Sequence, residues 1–100
     1  PGGLLPLVQL GPDWEEVFSA HDHEGDVALP PAEFNRLAAA VSEKVAKAGG
    51  EGRYPAVVTS SRRRRFLRTV LSAKGIPNPV LFFEEIGLEA RPALVGLVAA

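Results

Sequence analysis

The run Tyr54-Pro55-Ala56-Val57-Val58-Thr59-Ser60-Ser61-Arg62-Arg63-Arg64-Arg65-Phe66-Leu67-Arg68-Thr69-Val70-Leu71 decides how this chain is read. Ala56-Val57-Val58 has the short, β-branched apolar character of a buried strand. Thr59-Ser60-Ser61 then offers hydroxyls at a helix start, with Ser60 expected as the cap. Phe66, Leu67, Val70 and Leu71 recur on one helical face. A buried strand running straight into a helix is the basic step of an α/β fold.

Working outward, a helix is expected over Ser61 to Lys74, ending at Gly75, followed by an apolar strand, Val80-Leu81-Phe82-Phe83. Strand, helix, strand at this spacing favours a right-handed parallel βαβ unit. Glu84 to Gly87 leads into a turn around Leu88 to Pro92, and Ala93 to Val98 reads as a last strand in which Gly96 marks a bulge or a close approach. On the other side, Leu7 to Leu10 reads as a strand and Pro12 opens a short helix carrying Trp14, Val17 and Phe18 on one face. Val27-Ala28-Leu29 is briefly extended. A second long helix is expected over Ala32 to Ala48, with Phe34, Leu37, Ala38, Val41, Val45 and Ala48 as its apolar stripe and Gly49-Gly50 as a left-handed stop. The sum is an α/β fold: a small mixed sheet of three to four strands with two main helices and one short helix. Residues 1–6 read as linker and 7–100 as one domain.

A chain of 100 residues, 46% hydrophobic and 23% charged, has room for one modest core. It contains no cysteine, so disulfides and thiolate metal sites are excluded. The net charge of −1 hides an asymmetry: residues 1–50 carry eight acids against three bases, and residues 51–100 four acids against eight bases. No apolar run approaches the roughly 20 residues needed to span a bilayer. The start on Pro1 rather than methionine suggests a piece of a longer protein whose membrane segments lie elsewhere.

The search for chemistry is brief. His21 and His23 lack further zinc ligands at a suitable spacing. Asp22, Glu24, Asp26 and Glu33 sit at calcium-loop positions, but Val27 stands where that loop needs glycine, so residues 19–26 read as a solvated acidic loop. Ser60 and Ser61 lack the glycines of a nucleophile elbow. Glu84 and Glu85 follow a strand, where α/β folds bind ligands, yet neighbouring strand residues point to opposite faces. There is no glycine-rich phosphate loop. Neither a catalytic set, a metal site nor a cofactor site is assigned.

The four arginines stand out because bases in the first turn of a helix oppose its macrodipole. Acidic neighbours from the N-terminal half, a bound anion or a partner protein would offset that. The plainest arrangement fans Arg62, Arg63 and Arg65 into solvent while Arg64 and Arg68 track one side. Arg62, Arg63, Arg65 and Arg68 are the candidate partner or anion contacts. An anion- or nucleic-acid-binding module using Arg62 to Arg65 is the alternative function, although no aromatic stacking platform accompanies the charge.

Leu10-Gly11-Pro12, Leu29-Pro30-Pro31, Pro55-Ala56-Val57-Val58-Thr59-Ser60, Arg64 with Arg68, Val80-Leu81-Phe82-Phe83-Glu84-Glu85-Ile86 and Leu94-Val95-Gly96-Leu97-Val98 occur in an order that resembles a known pattern. It is that of the last cytoplasmic subdomain of the FHIPEP family, the large export-gate proteins of flagellar and virulence type III secretion. The resemblance covers roughly residues 7–98 and leans to the flagellar branch. Ser61 departs from the usual proline, Arg63 from a commonly apolar residue, and Phe82-Phe83-Glu84 from Ser-Tyr-Asn. What the resemblance implies is a non-enzymatic lobe at the cytoplasmic face of the bacterial inner membrane. Its parent would be a membrane protein whose cytoplasmic portion forms a homo-oligomeric ring. The implied partners are chaperone–substrate complexes and export-apparatus proteins, including the ATPase complex, and not nucleic acid.

Overall fold

A computed structural model describes residues 4–87 and 90–100. Four strands form one sheet in the order β5-β4-β1-β6: β1 (Leu5–Leu10), β4 (Ala56–Thr59), β5 (Val80–Phe82) and β6 (Pro92–Val98). Every pairing in it is parallel. The antiparallel component of the fold stands apart, as a two-stranded ribbon of β2 (Asp22–His23) and β3 (Asp26–Val27). Three helices complete the fold: α1 (Pro12–Ala20), α2 (Pro31–Gly50) and α3 (Ser61–Ala73). A single 3₁₀ turn spans Phe83–Glu85.

β1 lies at the centre because it is apolar on both faces. Val8 and Leu10 enter the main core, while Leu7 joins a smaller cluster with Ala56 and Val58. The strand begins at Leu5, so Leu5 and Pro6 belong to the sheet and not to the linker expected over residues 1–6. The main core gathers Trp14 and Phe18 from α1, Leu37, Ala38 and Val41 from α2, and Leu67, Val70 and Leu71 from α3. All three helices therefore cover one face of the sheet. Each large aliphatic side chain so buried contributes about 1.5–3 kcal/mol relative to exposure. The other face carries the smaller cluster, with Leu5, Leu81 and Ile86 against it. The register sets Leu94 opposite Leu7 and Leu97 opposite Gln9, and both leucines are largely exposed.

β5 is placed by backbone and by one side chain. Val57 N donates to Pro79 O at 2.8 Å, and the buried Asn78 donates its Nδ2 to Pro55 O at 2.8 Å. The bulge expected near Gly96 is present: Leu7 faces Leu94 and Val8 faces Gly96, leaving Val95 as the extra residue. Where β1 ends, Gly11 is needed for close approach. A Cβ there would lie 2.7 Å from Asp13 Oδ1 and 3.1 Å from Val98 O.

Two helix ends differ from expectation. α2 continues through Gly49 and Gly50, and Gly52 (φ +78°) takes the left-handed position instead. The bond from Arg53 N to Ala48 O (2.9 Å) then closes the last turn. At the start of α3, Ser60 holds the cap position by its backbone, but its hydroxyl makes no capping bond. α3 closes as expected at Gly75 (φ +72°), with Ile76 N on Leu71 O at 2.9 Å. The turn expected over Leu88 to Pro92 lies partly outside the described residues. No helix among the described residues is long and apolar enough to cross a membrane.

Candidate functional site

α3 is oriented by Leu67, Val70 and Leu71, which face the sheet. One turn earlier on that face stands Arg63, and it is 1% exposed. The solvent fan expected of Arg62, Arg63 and Arg65 therefore fails at Arg63. Its Nε reaches both carboxylate oxygens of Glu15 at 3.0 Å, its Nη1 donates to Asp22 Oδ2 at 2.7 Å, and its Nη2 lies 3.4 Å from Ser19 Oγ. A buried guanidinium needs such partners, since an unpaired one would be expensive to desolvate. Of the offsets considered for a basic helix start, acidic neighbours from the N-terminal half are the one present.

The partners come from two elements. Glu15 and Ser19 are four apart on α1, and Asp22 follows in the ribbon. Asp22 also receives Arg62 Nη2 at 3.1 Å and Gly25 N at 2.7 Å. The stretch read as a solvated acidic loop is thus tied down at Asp22, whose side chain is only 10% exposed. Its carboxyl is held below the ordinary 3.8, first by the Arg63 hydrogen bond and next by the Gly25 N–H. Glu15 and Asp22 together hold the Arg63 guanidinium above its usual range, the Glu15 hydrogen bond being the larger cause.

The sign of the pH effect follows. Unfolded Asp22 binds a proton at higher pH than folded Asp22 does. The stability it adds is complete above the unfolded value and is lost as pH falls through the folded one. Thermal midpoints are expected to fall as pH drops below about 4, and an Arg63→Met chain is expected to show a shallower decline. Parallel curves for the two chains across that window would show that this contact does not govern the acid limb.

The remaining arginines divide. Arg64 Nε donates to Val80 O at 3.1 Å, lies 3.4 Å from Glu85 Oε1, and its guanidinium sits 5.6 Å from the Phe82 ring centroid. Glu85 also accepts Phe82 N at 2.9 Å, so that carboxylate is committed to the strand end, and Glu84 is exposed. Arg65 and Arg68 are exposed on the outer face of α3, and neither guanidinium has an ion-pair partner among the described residues. Of the four candidate contacts, Arg62, Arg65 and Arg68 are at the surface and Arg63 is not. No group of three His, Asp or Glu side chains among the described residues is placed to hold a metal.

Glu15, Ser19 and Asp22 were missed as partners of the arginine run. Two signals pointed to them. They recur on one side of α1 and its extension, and Arg63 stands where the resembling family commonly has an apolar residue.

These features define a small α/β domain with a four-stranded parallel sheet, helices on one face and a buried Arg–carboxylate cluster joining α3 to α1. The model of the FHIPEP family matches residues 1–91, and the chain belongs to that family. It is 31% identical over 100 residues to flagellar biosynthesis protein FlhA of Caulobacter vibrioides, covering 96% of this chain and 14% of that protein. Among solved structures, the fold is similar to that of nonameric EPEC SctV-C, with a TM-score of 0.76, 18% identity and coverage of 95% of this chain and 29% of that one. It is also similar to the Chlamydia pneumoniae CdsV protein, with a TM-score of 0.77, 19% identity and coverage of 95% and 28%. The chain thus spans only a small part of each relative's length.

Proposed function

We propose that this chain is a cytoplasmic lobe of a flagellar protein-export gate, acting without catalysis as part of a docking platform. The observation that carries this reading is the family match over residues 1–91, joined to the 31% identity with a flagellar FlhA. The parent protein would sit in the bacterial inner membrane with this lobe on its cytoplasmic face. Copies would form a ring, a reading supported by the nonameric assembly named for one structural neighbour. Its partners would be chaperone–substrate complexes and proteins of the export apparatus, including the ATPase complex.

The contact surface proposed for it is the outer face of α3, with Arg62, Arg65 and Arg68. The nucleic-acid alternative is weakened by what happens to its residues: Arg63 is buried, Arg62 pairs with Asp22, and Arg64 is engaged by β5 and Glu85. Only Arg65 of the four is left unpaired.

A chimera tests the proposal. With this chain in place of the matching residues of Caulobacter FlhA, cells are expected to swim and to export flagellar proteins. Arg65→Glu with Arg68→Glu is expected to weaken capture of export-apparatus proteins by about tenfold, since reversed charges oppose the partner's field. A chimera that is inserted and stable yet exports nothing would count against the flagellar assignment. Unchanged capture by the doubly reversed chain would remove α3 as the contact.

A further inference from the structure

Beyond this face, a cleft of about 540 Å³ opens where β1 and β4 end and α1 and α3 begin. This is where parallel α/β sheets place ligands, outside the carboxyl ends of the strands. Its wall is apolar, built from Leu10, Pro12, Trp14, Phe18 and Phe83. Phe83 is 47% exposed. An aromatic ring left half in water beside a cleft is the kind of group that binding covers.

The polar edge has a definite sign. Ser60 and Arg62 line the cleft, and no side chain caps the first turn of the 13-residue α3. The α3 N-terminus therefore presents uncapped N–H groups and the positive end of a macrodipole beside a guanidinium, a combination suited to a carboxylate. Glu15 also lines the cleft, but Arg63 already holds its carboxylate at 3.0 Å. A second donor points the same way: Trp14 is wholly buried in the wall, and its Nε1 finds no acceptor among the described residues.

We propose that this cleft docks an acidic peptide segment of a partner protein. The segment seats one large apolar side chain against Trp14, Phe18 and Phe83, and sets an adjacent carboxylate at the α3 N-terminus beside Ser60 and Arg62. The site is independent of the export-gate reading, because it rests on the cleft's own lining and charge.

Trp14 is the sole tryptophan of the chain, so its fluorescence reports on the cleft directly. The probe is a blocked hexapeptide with one phenylalanine flanked by glutamates. Saturable binding is expected, weakened about tenfold by Arg62→Ala, by Phe83→Ala, by glutamine in place of the peptide's glutamates, or by alanine in place of its phenylalanine. Arg65→Ala, outside the cleft, is expected to leave affinity unchanged, and unaltered melting curves confirm that each variant is folded. A linear response without saturation overturns the proposal. So does equal binding of a lysine-flanked peptide, or an Arg65→Ala loss as large as that of Arg62→Ala, which would mark diffuse charge attraction. A fluorescence change on diluting the chain alone would assign the cleft to a second copy, and likewise overturns it.

Discussion

Replacing Arg63 by alanine is expected to lower the thermal midpoint by roughly 10–25 °C, corresponding to about 2–4 kcal/mol in a domain of this size. The guanidinium is 1% exposed and bonds Glu15 on α1 and Asp22 on the ribbon, so its removal frees two elements from α3 and opens a hole beside the core. The loss is kept below the top of the range for buried ion pairs because Glu15 is 43% exposed and Asp22 retains Arg62. Arg65→Ala and Arg68→Ala, at exposed positions, are expected to stay within about 0.5 kcal/mol. The informative comparison is Arg63→Met. A long apolar side chain fills the same space without a charge to desolvate, and such replacements are often neutral. Methionine is therefore expected to recover most of what alanine loses. If both substitutions were equally harmful, the charge itself would be indispensable. If neither mattered, the buried cluster would not be holding α1 to α3.

Trp14→Ala should be still more damaging, at about 3–5 kcal/mol, a large share of the 5–15 kcal/mol that holds an ordinary domain. Trp14 is 0% exposed, with its ring 5.9 Å from Phe18 and the Arg36 guanidinium 4.6 Å above it. The loss comes from volume and ring contacts and not from the indole N–H, which has no acceptor among the described residues. Trp14→Phe keeps most of the ring and is expected to lose only roughly 1–2 kcal/mol. Urea unfolding of the two variants separates the contributions. A phenylalanine chain as unstable as the alanine chain would mean that the N–H is in fact satisfied, and that this bond matters.

Much of the fold was legible because its signals are local. The β-branched run at Ala56 to Val58, the 3.6-residue stripe from Phe34 to Ala48 and the glycine closing α3 each depend on a few neighbouring residues. Gly49-Gly50 misled because glycine permits a left-handed turn without requiring one. α2 therefore ran on until Gly52, where Arg53 N could reach Ala48 O. The fate of Arg63 was half legible. It lies four residues before Leu67 and seven before Val70, so extending the apolar stripe back one turn lands on it. Its charge argued for solvent, and only the presence of carboxylates inside the fold reverses that argument.

The order and type of the helices and strands of the α/β layer follow from the chain's own periodicity, together with the family to which that order belongs. What the sequence could not decide was the neighbourhood: that β1 pairs with both β4 and β6, and that Glu15 and Asp22 meet an arginine 48 and 41 residues away. Strand order and long-range ion pairs are set by how apolar faces stack once every element has formed. That stacking turned one of four adjacent arginines inward and left Arg65 and Arg68 outside.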